Sequence, residues 1–454
     1  MKIINPATEQ LLVEIEEDTI ETVELKFQQL KKGQKIWSKK SVAQRIETIE
    51  QFYILLEENK DKLANTLTAE MGKPLQQAHN EINGARGRIK YFIDNAANYL
   101  KEEWITETGA TKEKIIYEAL GVIANISAWN YPYLVGVNVF IPALIGGNAV
   151  LYKPSEYALL TGLLIQDLLH KAGVPADCFQ TVVGGGAVGE MLLNLNLDGY
   201  YFTGSYKTGK YIAERVAGKM VPCQLELGGK DPLYIMDDVA DIEKAAADAL
   251  EGVVYNSGQS CCAVERIYVH EKIYDKFIQS YVGLCKKLVV GNPLDKLTDI
   301  GPLSRKEQQQ FLLSQVEDAV NKGAKILHGG KIVQGNGYYF EPTVLVNVNH
   351  GMLIMTEESF GPIVGIQSVA NDEEAIQLMQ DTRYGLTAAV FSSNYERAEA
   401  VMEKLDTGTV YWNCCDRVSA TLPWSGRGHS GFGATLSYIG IRAFVQPKAY
   451  HIRG

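Results

Sequence analysis

Residues 254–264 read Val-Tyr-Asn-Ser-Gly-Gln-Ser-Cys-Cys-Ala-Val, which sets two thiols side by side at Cys261 and Cys262. Four chemistries compete for such a pair: a disulfide, a metal site, small buried hydrophobes, or a nucleophile. A bridge between neighbours closes a strained eight-membered ring, so the disulfide is disfavoured. The chain holds seven cysteines and opens on MKIINPATEQ, which lacks the apolar core of a secretory leader. Reduced thiols are therefore expected. No Cys-x-x-Cys occurs, and none of the seven histidines stands at ligand spacing to a cysteine, so no metal is expected. A free thiol, with a pKa of about 8.5, is a few per cent thiolate at neutral pH and already a capable nucleophile. Packing and nucleophilic attack remain open for the pair.

Two glycine clusters offer phosphate chemistry. Gly184-Gly185-Gly186-Ala187-Val188-Gly189 matches G-x-G-x-x-G after a strand and before a helix, but no acidic strand end follows about twenty residues later. The stretch FTGSYKTG ends a strand at Thr203 and opens a helix between Gly204 and Gly209. Either helix start offers free N–H groups to a pyrophosphate, and either is also compatible with a tight turn alone. Two such clusters in successive strand–helix units favour a dinucleotide.

The elements that position these residues have a clear rhythm. Residues 20–104 show apolar residues at three- and four-residue spacing and read as helices, broken at Gly72 and Pro74, with a further helix over 76–100. From about residue 115, β-rich runs (GVIANISA, NAVLYK, FQTVVGG, YYFTGS, CQLELGG) alternate with helical ones, the pattern of a doubly wound parallel sheet. A second α/β stretch follows LELGG, so two units are expected to face one another across a cleft. At 454 residues the chain is too long for one core. A net charge of −10 disfavours nucleic acid and anionic membrane surfaces as partners. The uncharged run 133–152 contains Pro142, Gly146 and Gly147, and reads as a buried helix, turn and strand rather than a membrane span. A cytoplasmic protein is expected.

Eight stretches recur in a telling order: NPATEQ near the start, AWNYP (128–132), LYKPSE (151–156), FTGSYKTG (202–209), LELGGKDP (225–232), GQSCCA (258–263), EESFGP (357–362), and WNCC with PWSGRGHSG (412–431). With them the chain resembles the aldehyde dehydrogenase superfamily over nearly its whole length. The resemblance implies an α/β fold with a Rossmann-like cofactor domain (1–105 and 122–227), a second α/β catalytic domain (228–432), and a small β oligomerisation extension (106–121 and 433–454). It implies NAD(P)-dependent oxidation of an aldehyde to an acid, of the hydrolytic type, in a homodimer or homotetramer.

By the same resemblance Cys261 is the nucleophile, Glu226 the general base, and Asn130 the side-chain oxyanion donor. Lys153 and Glu156 hold the adenosine ribose, with Ser155 between them also at the cofactor, and the helix entered through Gly204, Ser205 and Gly209 takes the pyrophosphate. Glu358 holds the nicotinamide ribose and Phe360 lies beside the ring. NAD is expected, with NADP possible. Pocket walls are expected from Tyr133, Asn138, Ser260, Cys262 and the loop 414–423 with Arg417. Members of the family that oxidise semialdehydes often carry an arginine where Asn138 stands. The uncharged Asn138 therefore points to a neutral aliphatic or aromatic aldehyde, with a semialdehyde as the alternative should Arg417 bind a carboxylate. A structural role, acyl transfer to coenzyme A and a cofactor-free thiol hydrolase are the rival readings; the first two are weakened by Glu226, and the third by the lack of a histidine paired with Cys261.

Overall fold

The computed structural model describes residues 1–107 and 110–453. Thr108 and Gly109, within the first expected oligomerisation segment, and Gly454, at the end of the second, lie outside the described residues.

Four helices lead the chain: Ile20–Trp37, Val42–Glu58, Lys60–Met71 and Leu75–Tyr99. Thr19 and Ser41 close capping boxes at the first two starts, satisfying free N–H groups there. Gly72 ends the third in the left-handed conformation, at φ 85°. The long fourth helix buries one stripe, which includes Glu81, Ala85, Arg88, Ile89 and Phe92. Two charged residues inside an apolar stripe mark it as more than packing.

The first sheet has the spatial order Gly431–Phe432, Cys223–Glu226, Gly199–Thr203, Val122–Ile126, Ala149–Lys153, Phe179–Thr181. All pairs are parallel except the edge pair made by Gly431–Phe432. Side chains alternate across it, as the pleat requires. Val122, Ala124 and Leu151 meet Val23, Phe27 and Leu30 on one face. Ile123, Val150 and Tyr152 meet Phe140, Ile89 and Phe52 on the other. Strand order reverses between Val122–Ile126 and Gly199–Thr203, which opens a crevice at their carboxyl ends. The apolar run 133–152 forms the buried helix Pro132–Ile145, a turn through Gly147 at φ 92°, and the central strand Ala149–Lys153. Among the described residues no helix is long and apolar enough to cross a membrane.

A second, seven-stranded sheet runs in the order Lys325–His328, Thr343–Val346, Ile363–Val369, Val264–His270, Asp231–Ile235, Thr387–Phe391, Thr409–Trp412. It is parallel apart from the antiparallel first pair. A three-stranded sheet pairs Val445–Arg453 with Thr111–Ala119, from Val445 opposite Ala119 to Arg453 opposite Thr111. Glu103–Thr106 adds its third strand. The two segments expected to form the β extension therefore pair with each other.

Candidate active site

Cys261 precedes the central strand Val264–His270 and follows a kinked turn in which Asn256, Ser257 and Gly258 all have positive φ, at 55°, 56° and 70°. Such a turn persists only where its surroundings over-determine it. The Asn256 amide donates to the carbonyls of Asn130 (3.1 Å) and Gln259 (3.0 Å). Ser257 donates to the Gly301 carbonyl at 3.0 Å, and a side chain at Gly258 would collide with the Gly361 backbone at 2.3 Å. The thiol is thus presented by a rigid loop.

Two cavities meet at this thiol. The wider one, about 800 Å³, is bounded by Asn138, Ser260, Cys262, Arg417 and Val418, as the sequence leads one to expect. The narrower one, about 490 Å³, lies at the switch point of the first sheet. Cys261 and Glu226 line both.

Glu226 ends the strand Cys223–Glu226 and accepts a short hydrogen bond from the Thr435 hydroxyl. Burial pushes its carboxyl up to about 7, against the pull of Thr435 and Arg88. A carboxyl in that range exchanges protons near neutrality, as a general base must. Cys262 differs from its neighbour. Its thiol donates to Asp416 Oδ1 at 2.9 Å, and the hydrogen bond with Cys261, together with burial, pushes it well above the ordinary thiol range. Asp416 itself is raised to about 6 by burial.

Asn130 is buried, and its amide donates to the Gln259 carbonyl at 3.2 Å. An amide nitrogen carries two hydrogens, so a second donor remains. A fully buried ion pair fixes this residue. The Lys73 ammonium, bonded to Glu81, also donates to the Asn130 carbonyl at 2.8 Å. Glu81 accepts the Tyr133 backbone N–H at 2.9 Å, which places its carboxylate at the start of the helix Pro132–Ile145. This clamp is absent from the sequence reading; two charges of opposite sign, at Lys73 and Glu81, near a helical apolar stripe were its only trace.

The narrower cavity gathers Lys153, Ser155, Glu156, Gly204, Ser205, Glu358 and Phe360, all expected there. These residues fit a dinucleotide. Ser205 caps the helix Tyr206–Val216, whose start faces the cleft. Gly186, which lines the cleft and where a side chain would meet nothing, keeps its wall low. Glu358 accepts the Gly229 N–H at 3.2 Å, and burial raises its carboxyl to about 8. Glu265, a residue without any motif to announce it, pairs with Lys230 at 2.6 Å and accepts the N–H groups of Ser359 (2.8 Å) and Phe360 (2.9 Å). It thereby shapes the turn that holds Phe360 at φ 51°, edge-on to Trp129.

Two expected residues lie elsewhere. Gly209 does not border the cleft. It sits one turn into its helix beneath Leu227, where a Cβ would come within 2.5 Å, so it serves close helix–strand packing. Tyr133 does not line the wider cavity either. On its helix, positions 131, 134, 135 and 138 share the cavity side, while Tyr133 turns into the core and its hydroxyl donates to the Leu63 carbonyl at 3.4 Å. A third correction concerns charge. The wall at Asn138 is not neutral, because Arg88 from the helix Leu75–Tyr99 donates to Asn138 Oδ1 at 2.9 Å and lines the same cavity. Arg417 is exposed at the mouth, with Glu251 at 3.8 Å.

The comparisons with known proteins agree with this geometry. The chain matches the profile of the Aldehyde dehydrogenase family over residues 1–450. It is 34% identical over 458 residues to a chloroplastic betaine aldehyde dehydrogenase of Amaranthus hypochondriacus, covering 98% of this chain and 91% of that one. It is 34% identical over 413 residues to an NADP(+) succinate-semialdehyde dehydrogenase of Deinococcus radiodurans, covering 91% of this chain and 86% of that one. The crystal structure of a betaine aldehyde dehydrogenase from Staphylococcus aureus in complex with NAD+ superposes with a TM-score of 0.96 at 33% identity, covering 100% of this chain and 92% of that one. With a matching profile, full-length relatives and a shared fold around one thiol and one carboxyl, the chain belongs to the aldehyde dehydrogenase family.

Proposed function

We propose that the chain converts an aldehyde, NAD+ and water into a carboxylic acid and NADH, with Cys261 as nucleophile and Glu226 as general base. The supporting observation is the junction. The wider cavity and the narrower cleft share two residues, and these are Cys261 and Glu226. When bound in the narrower cleft, the nicotinamide supplies the hydride acceptor.

The protein groups divide the remaining work. The Cys261 thiolate adds to the aldehyde carbon, and the oxygen that becomes anionic is held by the free amide hydrogen of Asn130 and the backbone N–H of Cys261. Oxidation leaves an acyl thioester on Cys261. Glu226 then takes a proton from water, which attacks the thioester carbon; the carbon–sulfur bond breaks, and the sulfur leaves as the thiolate. Cys262 is held by Asp416 as a neutral wall. Glu156, beside Lys153 and Ser155, would accept a ribose hydroxyl and repel a 2′-phosphate, which favours NAD over NADP.

Residues 1–105 with 122–227 form the dinucleotide-binding domain in this reading, and 228–432 the catalytic domain. The sheet of residues 103–106, 111–119 and 445–453 supports a homodimer or homotetramer through its open edges. A cytosolic location follows from the need to keep two adjacent thiols reduced. The test is a panel of aldehydes with each cofactor, read by nicotinamide absorbance, in the unmodified protein and in Cys261→Ala. Turnover that survives in Cys261→Ala would refute the reading.

A further inference from the structure

Arg88 is one of three buried arginines among the described residues, at 8% exposure. The other two commit Nε to a backbone carbonyl, Arg45 to Ile145 and Arg266 to Lys230. Arg88 does not. Its Nη1 donates to the Leu134 carbonyl at 3.2 Å and to Asn138 Oδ1 at 2.9 Å, which uses both hydrogens of that nitrogen. Among the described residues, Nε and Nη2 donate to nothing in the protein, yet neither is sealed from solvent. No described carboxylate lies at ion-pair distance. Of the other buried cations, Lys73 is neutralised by Glu81 and Lys230 by Glu265, while Arg45, Lys153 and Arg266 donate to backbone carbonyls.

The open edge faces the aldehyde cavity. Arg88 lines it with Cys261, Glu226 and Asn138, and Gly87 next to it places no side chain in the way. Other charged groups of the cavity are paired, Glu81 with Lys73, Lys244 with Asp248 and Arg417 at the mouth with Glu251, while Asp416 accepts from Cys262 and Ser260. A largely buried guanidinium whose open edge has no counter-ion gains from one, and a Nε–Nη2 edge matches a carboxylate with two parallel hydrogen bonds.

We propose that Arg88, aimed by Asn138, grips a carboxylate at the far end of the substrate, so that the enzyme selects a short aldehyde acid over neutral and cationic aldehydes. The proposal rests on the reading of Cys261 as the nucleophile of an aldehyde dehydrogenase. It replaces the neutral substrate that an uncharged Asn138 wall suggested. A cationic aldehyde would place like charges together in one cavity, although several relatives carry the name betaine aldehyde dehydrogenase.

The experiment compares kcat/KM for succinic semialdehyde, butanal and betaine aldehyde in the unmodified enzyme, Arg88→Met, Arg88→Lys and Asn138→Leu. Succinic semialdehyde should be best in the unmodified enzyme. Its advantage over butanal should fall by about 10- to 100-fold in Arg88→Met, the range for lost charge-assisted hydrogen bonds. Arg88→Lys should keep part of it as a point charge, and Asn138→Leu should lose part because the fork is no longer aimed. If Arg88→Met does not fold, the other two variants report the same ratio. A readout independent of turnover accompanies these: succinate should slow iodoacetamide alkylation of Cys261 in the unmodified protein and not in the Arg88 variant. Butanal or betaine aldehyde as the best substrate would overturn the proposal. An equal loss for all aldehydes would also do so, because it would assign Arg88 to supporting Glu226 or the fold. Turnover of none of the three would refute the family chemistry itself; turnover of butanal with an unchanged ratio would refute Arg88 alone.

Discussion

Replacing Glu226 with glutamine should separate the two half-reactions. The amide keeps the shape of the side chain but cannot take a proton from water. General-base catalysis contributes about 10²- to 10⁴-fold, so steady turnover should fall by that factor. A single burst of reduced cofactor, one per site, should remain, because thiol attack and oxidation do not pass through Glu226. The pH dependence gives a second handle. With the carboxyl near 7, its ionised fraction is about one in eleven at pH 6 and about ten in eleven at pH 8, so thioester hydrolysis should rise about tenfold across that interval. Rapid-mixing absorbance should show that rise in the unmodified enzyme and a flat profile in the variant. The stability sign runs the other way. Burial raises this carboxyl from 4.5 to about 7, so the folded chain holds the proton more tightly than the unfolded one. Its contribution is full below about pH 4.5 and is lost as pH rises to about 7, by at most about 3 kcal/mol, because water reaches the carboxyl through the two cavities. Glu226→Gln should therefore gain more thermal stability over the unmodified protein at pH 8 than at pH 5. A variant with no burst, or one that keeps the tenfold limb, would refute the assignment.

Three further outcomes follow from the geometry. Glu156→Ser should narrow the preference for NAD over NADP in kcat/KM, and equal or better efficiency with NADP in the unmodified enzyme would contradict the role of that carboxylate. Arg417→Ala should leave kcat/KM for every aldehyde within a few-fold, since an exposed pair with Glu251 at 3.8 Å is worth about 0–1 kcal/mol; a large loss confined to aldehyde acids would move the anion grip to the mouth. Removing residues 445–454 strips Thr111–Ala119 of the partner paired along its whole length, and sedimentation should show monomer or aggregate without activity, whereas an intact active oligomer would count against this sheet as the assembly element.

Much of this site was legible because its parts lie in short contiguous stretches. A strand end, a turn and a helix start are local, so Glu226, Ser205, Cys261 and Glu358 stand in short motifs that resemble the family's. Both parallel sheets were legible for the same reason, since buried strands alternate with amphipathic helices. Residues that act across the fold were not. Glu265 reaches from a strand to the turn at 359–360, about ninety-five positions away, and Glu81 meets the Tyr133 N–H only after two helices pack. Tyr133 and Gly209 sit inside quoted motifs, yet helical rotation turns one into the core and the other beneath Leu227. Arg88 left one trace, a charge in the buried stripe of its helix, and it reaches Asn138 only where two helices pack.

The central claim is that Cys261, and not the thiol beside it, carries the acyl group. In Glu226→Gln mixed with NAD and a turned-over aldehyde, the thioester should accumulate and survive acid quench. Peptide mass spectrometry should then place one acyl mass on Cys261, with nothing on Cys262 and no adduct in the Cys261→Ala double variant. An acyl group on Cys262, or an adduct that persists without Cys261, would contradict the account.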